Sequence, residues 1–142
     1  MVAPLRGSRS QGRFAAGSAA GELDPRVLDT TLFGELLGSF AGDLDIVISI
    51  YRTFVGTTIQ LIDALPEQDC ATQTRTLHTL KGSAAMVGAE RIAQLAARLH
   101  RVAASSVHPI VKTRIDELTG ELDSFREALR AHADSVRQRS GT

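Results

Sequence analysis

The chain has 142 residues, which is enough for one domain with a hydrophobic core of its own. Its 16 basic and 16 acidic residues balance, so the overall charge favours neither nucleic acid nor an anionic membrane as a partner. A single cysteine excludes an intramolecular disulfide, and no apolar run approaches the ~20 residues of a membrane span. We therefore expect a cytoplasmic protein, and a monomer because no apolar stripe is left over once the core faces are assigned.

Residues 1–22 are rich in Gly, Ser, Ala and Arg and have no apolar periodicity. This composition predicts a disordered tail over 1–22 and a folded domain over 23–138. Alternating β-branched runs bounded by tight turns are absent, so the folded part is predicted to be all-α.

A first short helix is predicted to begin at Asp24 and Pro25, because an Asp cap followed by Pro is a helix entry signal. It ends around residues 38–42, where glycines interrupt the pattern. Its apolar positions are Leu28, Leu32, Leu36 and Leu37.

The second helix is predicted from Asp43 to about Leu65, where Pro66 ends it. The third runs from about Asp69 to Val87, followed by Gly88. Their buried positions recur at helical spacing. In the second helix these are Val47, Ile50, Tyr51, Phe54, Leu61 and Leu65, and in the third they are Gln73, Leu77, Leu80, Ala84 and Val87.

A fourth helix precedes a turn at residues 105–109, and a fifth is predicted from about Pro109 to Arg137. Short connections make sequential helices antiparallel. Helices two to five are therefore predicted to form an up-down-up-down four-helix bundle, with the short first helix as an extra element. The predicted seams are Ile92, Leu95, Ala96, Leu99, Val102 and Ala103 in the fourth helix, and Val111, Ile115, Leu118, Leu122, Phe125, Leu129, His132 and Val136 in the fifth.

His78 lies opposite the buried stripe of the third helix, on a face of small residues. The large neighbours on that face, Arg75 at i−3 and Lys81 at i+3, are both cationic. Glycine inside a helix lowers the stability of the helix by about 1 kcal/mol relative to alanine. The presence of Gly82 at i+4 therefore needs an explanation, and close approach of a partner to the helix backbone provides one. The candidate partner-binding residues on this face are Gly82, Arg75, Thr74 and Ala85.

The run His-Thr-Leu-Lys-Gly-Ser-Ala-Ala over residues 78–85, with Gly88 and Ala89 opening the next helix, resembles the signature of histidine-containing phosphotransfer (HPt) domains. The likeness extends from Asp69 to the stripe at residues 95–99, and the helix plan over about 24–137 agrees with the family's bundle. It implies a carrier in a multistep two-component phosphorelay. His78 would accept a phosphoryl group from an aspartyl phosphate on one receiver domain and pass it to another.

The resemblance further implies that Lys81 stabilises the phosphoryl group and that Gly82 leaves room for the receiver. The expected partners are receiver domains of response regulators or hybrid sensor kinases. His100 departs from the family, whose members often have Glu or Gln there; we expect it at the edge of the bundle, with consequences for partner choice.

An exposed imidazole is mostly neutral at pH 7, so His78 can act as a nucleophile without a dedicated base. No ATP-binding glycine loop is present, so we expect a phosphocarrier rather than an enzyme. We expect no cofactor on this chain, because the divalent cation that assists transfer belongs on the receiver.

Three alternatives remain. A metal or haem bundle is disfavoured because neither a Glu-x-x-His pair nor histidines at i, i+4 are present. A pure adaptor would bind receivers without accepting phosphate, and only His78, Lys81 and Gly82 together argue against it. A histidine-dependent enzyme is least favoured, because no partner carboxylate is signalled near His78.

A free-standing protein and a segment of a hybrid kinase are equally compatible with the sequence.

Overall fold

The computed structural model describes residues 27–140, and these form five helices with no strand among them. Helices α2 to α5 make the predicted antiparallel bundle, and α1 is the extra N-terminal helix, so the predicted fold class is confirmed. The tail predicted over residues 1–22 lies outside the described residues. The helices are α1 (Thr30–Ser39), α2 (Leu44–Ala64), α3 (Cys70–Met86), α4 (Glu90–Ala104) and α5 (Lys112–Ser140), with a single 3-10 turn at Leu65–Glu67 between α2 and α3.

The first helix begins at Thr30, later in the chain than predicted, and the predicted start at Asp24 and Pro25 lies outside the described residues. The cap is Asp29, whose side chain accepts a hydrogen bond from the Leu32 N–H at 3.0 Å. The Asp29 N–H donates to the Gly88 carbonyl at 2.9 Å. A tertiary hydrogen bond therefore holds Asp29 in an extended conformation, and the helix can start only after it.

The predicted boundaries of α2 and α3 are confirmed to within about a residue. Asp43 and Asp69 each occupy the N-cap, where a carboxylate accepts an orphan backbone N–H of the first turn. Pro66 lies inside the 3-10 turn between the two helices. Because proline lacks a backbone N–H, it ends the α-helical hydrogen bonding of α2 at this point.

Aromatic side chains fill the centre of the core. Tyr51 from α2 stacks on Phe33 from α1, with ring centroids 5.4 Å apart, and lies 6.1 Å from Phe125 of α5. Phe33 and Phe125 are both fully buried. The sequence-based stripe of α1 contained leucines only, so it omitted Phe33, the residue that attaches α1 to the bundle.

The amide side chain of Gln73 is fully buried. Its Nε2 donates to the Leu65 carbonyl at 2.9 Å, and its Oε1 accepts from the Ile110 N–H at 2.8 Å. One amide thus joins α3, the 3-10 turn and the segment before α5. Its predicted place on the buried side of α3 is confirmed.

The last helix begins at Lys112 rather than at Pro109. The preceding residues form a local turn, in which the His108 N–H donates to Ser106 Oγ at 3.0 Å. Val111 therefore precedes the helix and is 61 % exposed, so its predicted place on the seam is wrong. The predicted seam position of Val102 is also wrong. Val102 is 51 % exposed, and the adjacent Ala103 is buried instead.

Candidate functional site

The presentation of His78 follows from the way α3 is built. Gln73, Leu77, Leu80 and Ala84 are fully buried along one side of the helix. His78 lies on the other side and is exposed. The hydrophobic stripe therefore fixes the rotation of α3 about its axis, and with it the direction of the imidazole toward solvent.

A second contribution comes from the start of α3. The Asp69 carboxylate accepts a hydrogen bond from the Thr72 N–H at 2.8 Å. That backbone hydrogen bond, then the one from the Thr72 hydroxyl and the charge of Arg75, lower the pKa of Asp69 below its ordinary value. Asp69 is therefore an anion at neutral pH, which stabilises the N-terminus of the helix that carries His78.

Helices α3 and α4 form a closely packed antiparallel hairpin whose turn is Val87, Gly88 and Ala89. Gly88 has a φ of 77°, and a Cβ atom at this position would lie 2.6 Å from the Asp29 Cβ. Both the left-handed backbone and the close approach of Asp29 require glycine here.

This hairpin brings a second histidine to the site. His100 of α4 is half-buried, and its ring centroid lies 5.8 Å from that of His78, with the ring planes at 47°. The two residues are nearly equidistant in sequence from the turn at Ala89, so an antiparallel hairpin places them side by side. The sequence predicts His100 at the edge of the bundle, and the equal spacing of His78 and His100 from the turn is the signal in the sequence that indicates their proximity.

The two cations predicted to flank His78 differ in their surroundings. Lys81 is half-buried, and no carboxylate in the described part of the chain pairs with it. Arg75 is exposed, and its guanidinium donates to Thr72 Oγ1 at 3.3 Å, toward the start of α3. Of the two cations, Lys81 is thus the one with no partner of its own among residues 27–140.

The small residues of the site leave the backbone of α3 accessible. A Cβ atom at Gly82 would meet no atom of the described residues within 4 Å, so the described fold does not require glycine there. Ala85 is exposed one turn further along, whereas the Thr74 hydroxyl donates to the Cys70 carbonyl at 2.8 Å and is half-buried. The open face therefore runs from His78 toward the C-terminal end of α3, where Met86 is 80 % exposed.

No group of three or more His, Cys, Asp or Glu side chains that could hold a metal ion occurs within residues 27–140. In the same residues, no helix has the length and apolar character needed to cross a membrane.

Neither a comparison with curated proteins nor one with solved structures returned a significant match. The sequence model of the Hpt domain family matches residues 47–135, which is more than half of the chain and includes all of α3 and α4. The family's domains act as phosphotransfer carriers in two-component phosphorelays. With its helical bundle and its match over residues 47–135, this chain belongs to the Hpt domain family.

Proposed function

We propose that this protein is a phosphohistidine carrier that accepts a phosphoryl group on His78 from the aspartyl phosphate of one receiver domain and passes it to another receiver. The observation that carries the proposal is the placement of an exposed imidazole opposite a buried helical stripe, with Lys81 one turn away and unpaired among the described residues. A nucleophile on an exposed, cationic face of small residues is accessible to a whole protein domain.

The chemistry needs little from this chain. An unprotonated ring nitrogen of His78 attacks phosphorus, an N–P bond forms, and the O–P bond of the acyl phosphate breaks as the aspartate carboxylate leaves. The second transfer reverses these steps on another receiver. Phosphoryl transfer depends on positioning and on stabilisation of the charge of the phosphoryl group. In this proposal Lys81 stabilises that charge on the carrier, and a divalent cation stabilises it on the receiver.

The remaining candidate residues have supporting roles in this proposal. Gly82 and Ala85 let the receiver approach the helix backbone, and Arg75 and Thr74 border the contact area. A cytoplasmic location and a monomeric state are part of the same proposal, because the receiver must reach His78 freely. The chain would have no kinase activity of its own, and incubation with Mg-ATP should leave His78 unlabelled.

The test is phosphoryl transfer from a panel of labelled receiver domains to the wild-type protein, to His78→Gln and to His108→Gln. His108 is the matched control, because it is an exposed histidine in the turn before α5. We expect label on the wild type and on His108→Gln but not on His78→Gln, lost in acid and retained in base. Binding of receivers without any labelling of the wild type would contradict the proposal and favour an adaptor.

A further inference from the structure

The site contains a second imidazole for which the function as proposed has no role. His100 reaches the face of His78 from the neighbouring helix, and their ring centroids are 5.8 Å apart. No hydrogen bond joins the two rings, and no other residue of the described chain pairs with either. The nitrogens of His100 are therefore available to a group that binds between the rings.

The surroundings of His100 on its own helix leave that space open. The positions at i±3 and i±4, which are its neighbours on the helix surface, are all alanines. None of them carries a polar atom that could occupy the ring nitrogens or a long side chain that could cover the imidazole. They are Ala96, Ala97, Ala103 and Ala104.

We propose that His100 is a phosphoryl-binding residue: its ring N–H donates a hydrogen bond to an oxygen of the phosphoryl group carried by His78. This inference rests on the function proposed above. A neutral imidazole keeps one N–H donor and an imidazolium has two, so His100 can donate in either protonation state. Lys81 approaches the phosphoryl group along α3 and His100 approaches it from α4, so two donors on different helices hold it.

The hydrogen bond involves a charged acceptor, so it belongs to the stronger class. It exists only when His78 carries the phosphoryl group, because the two rings make no hydrogen bond in the unmodified protein. His100 should therefore favour the phosphorylated form of the carrier and leave the folding of the unmodified protein nearly unchanged.

The experiment compares wild type, His100→Leu, His100→Gln and His108→Leu, each loaded from the same phosphorylated receiver. The readouts are the equilibrium fraction of phosphorylated carrier and the lifetime of its phosphohistidine after the receiver is removed. Leu removes the donor, Gln restores an N–H donor, and His108 is an exposed histidine outside the site. We expect the transfer equilibrium constant of His100→Leu to fall about tenfold, and the other two variants to stay within about twofold of wild type.

A measurement without substitution tests the same contact. Phosphorylation of the wild-type protein should shift the ring-nitrogen NMR signals of His100 together with those of His78, and leave those of His108 in place. An unshifted His100, or an equal loss in His100→Leu and His100→Gln, would overturn the inference. So would weaker receiver binding in His100→Leu with an unchanged phosphohistidine lifetime. Absence of label on the wild-type protein would instead overturn the proposed function.

Discussion

The imidazole of His132 lies edge-on against the ring of Phe33, with ring centroids 4.7 Å apart and planes at 89°. The contact joins α5 to α1. Burial, and to a lesser degree the charge of Arg139, lower the pKa of His132 below 6.5. Folding therefore opposes protonation of this ring.

The first prediction concerns acid stability. The unfolded chain binds a proton at its ordinary pKa near ~6.5, before the folded chain does, so unfolding is favoured as the pH falls below that value. The stabilising contribution is complete above about pH 6.5 and declines toward the lowered pKa of the folded state. Urea unfolding at pH 7.5 and pH 5.5 should show a smaller loss of stability in His132→Leu than in wild type. Equal losses in both proteins would contradict this account.

The second prediction uses the only tyrosine in a chain without tryptophan. Burial, and secondarily the charge of Asp29, raise the pKa of Tyr51 to about 12. Its neutral form is favoured by folding, so stability is lost as the pH rises from about 10 through 12. Absorbance at the phenolate band should remain low at pH 10.5 in the folded protein, whereas protein unfolded in urea should titrate near ~10. Ionisation near 10 without unfolding would refute the prediction.

The third prediction concerns the buried amide of Gln73. Replacing it with leucine leaves the Ile110 N–H buried without a partner and removes one of the two hydrogen bonds that the Leu65 carbonyl accepts, the other being from the Gln68 N–H at 3.1 Å. A buried unpaired group costs about 1–3 kcal/mol, so Gln73→Leu should lower the free energy of unfolding by about 2 kcal/mol. Gln94→Leu, at an exposed position of α4, is the control and should change it by less than about 0.5 kcal/mol.

The fourth prediction separates folding from binding at Gly82. Gly82→Ala should stabilise the protein by up to about 1 kcal/mol, because alanine favours the helix and its Cβ meets nothing within 4 Å among residues 27–140. The same methyl group should weaken receiver binding and slow phosphotransfer. Gly120→Ala, equally open and in the middle of α5, should give the stability gain alone. Unchanged transfer in Gly82→Ala would show that the receiver does not approach this residue.

The fifth prediction concerns the turn of the α3–α4 hairpin. Gly88→Ala imposes a positive φ on alanine and pushes its Cβ against the Cβ of Asp29. We expect a loss of about 1–3 kcal/mol in unfolding free energy. Gly56→Ala, at an open position of α2, should show no loss. A melting temperature of Gly88→Ala equal to that of wild type would argue against this explanation of the glycine.

Local signals were sufficient to predict most of the fold. Asp43 and Asp69 are N-caps whose hydrogen bonds lie within one turn, so the starts of α2 and α3 could be inferred from the sequence. The start of α1 could not, because it depends on the hydrogen bond from Asp29 to Gly88, 59 positions along the chain. Phe33 was missed for a similar reason, since only the packing of α1 on Tyr51 and His132 shows that its ring is central.

The candidate site also has one part that could be predicted from the sequence and one part that could not. The exposed face around His78 follows from the periodicity of one helix, and it could be predicted from that helix alone. The approach of His100 depends on the register between two helices, which is fixed by the turn at Gly88 and by tight packing across the hairpin. Single-helix periodicity contains no information about that register.

The packing of α1 also bears on where this protein can be shortened. The family match begins at Val47 and leaves α1 out, yet Phe33 of α1 covers the ring of Tyr51. A fragment trimmed to residues 47–135 would expose that ring and lose the contact that holds the α3–α4 turn to Asp29. A fragment that keeps the described core closed must therefore include the residues from Val27 onward, about twenty residues before the segment by which the family is recognised.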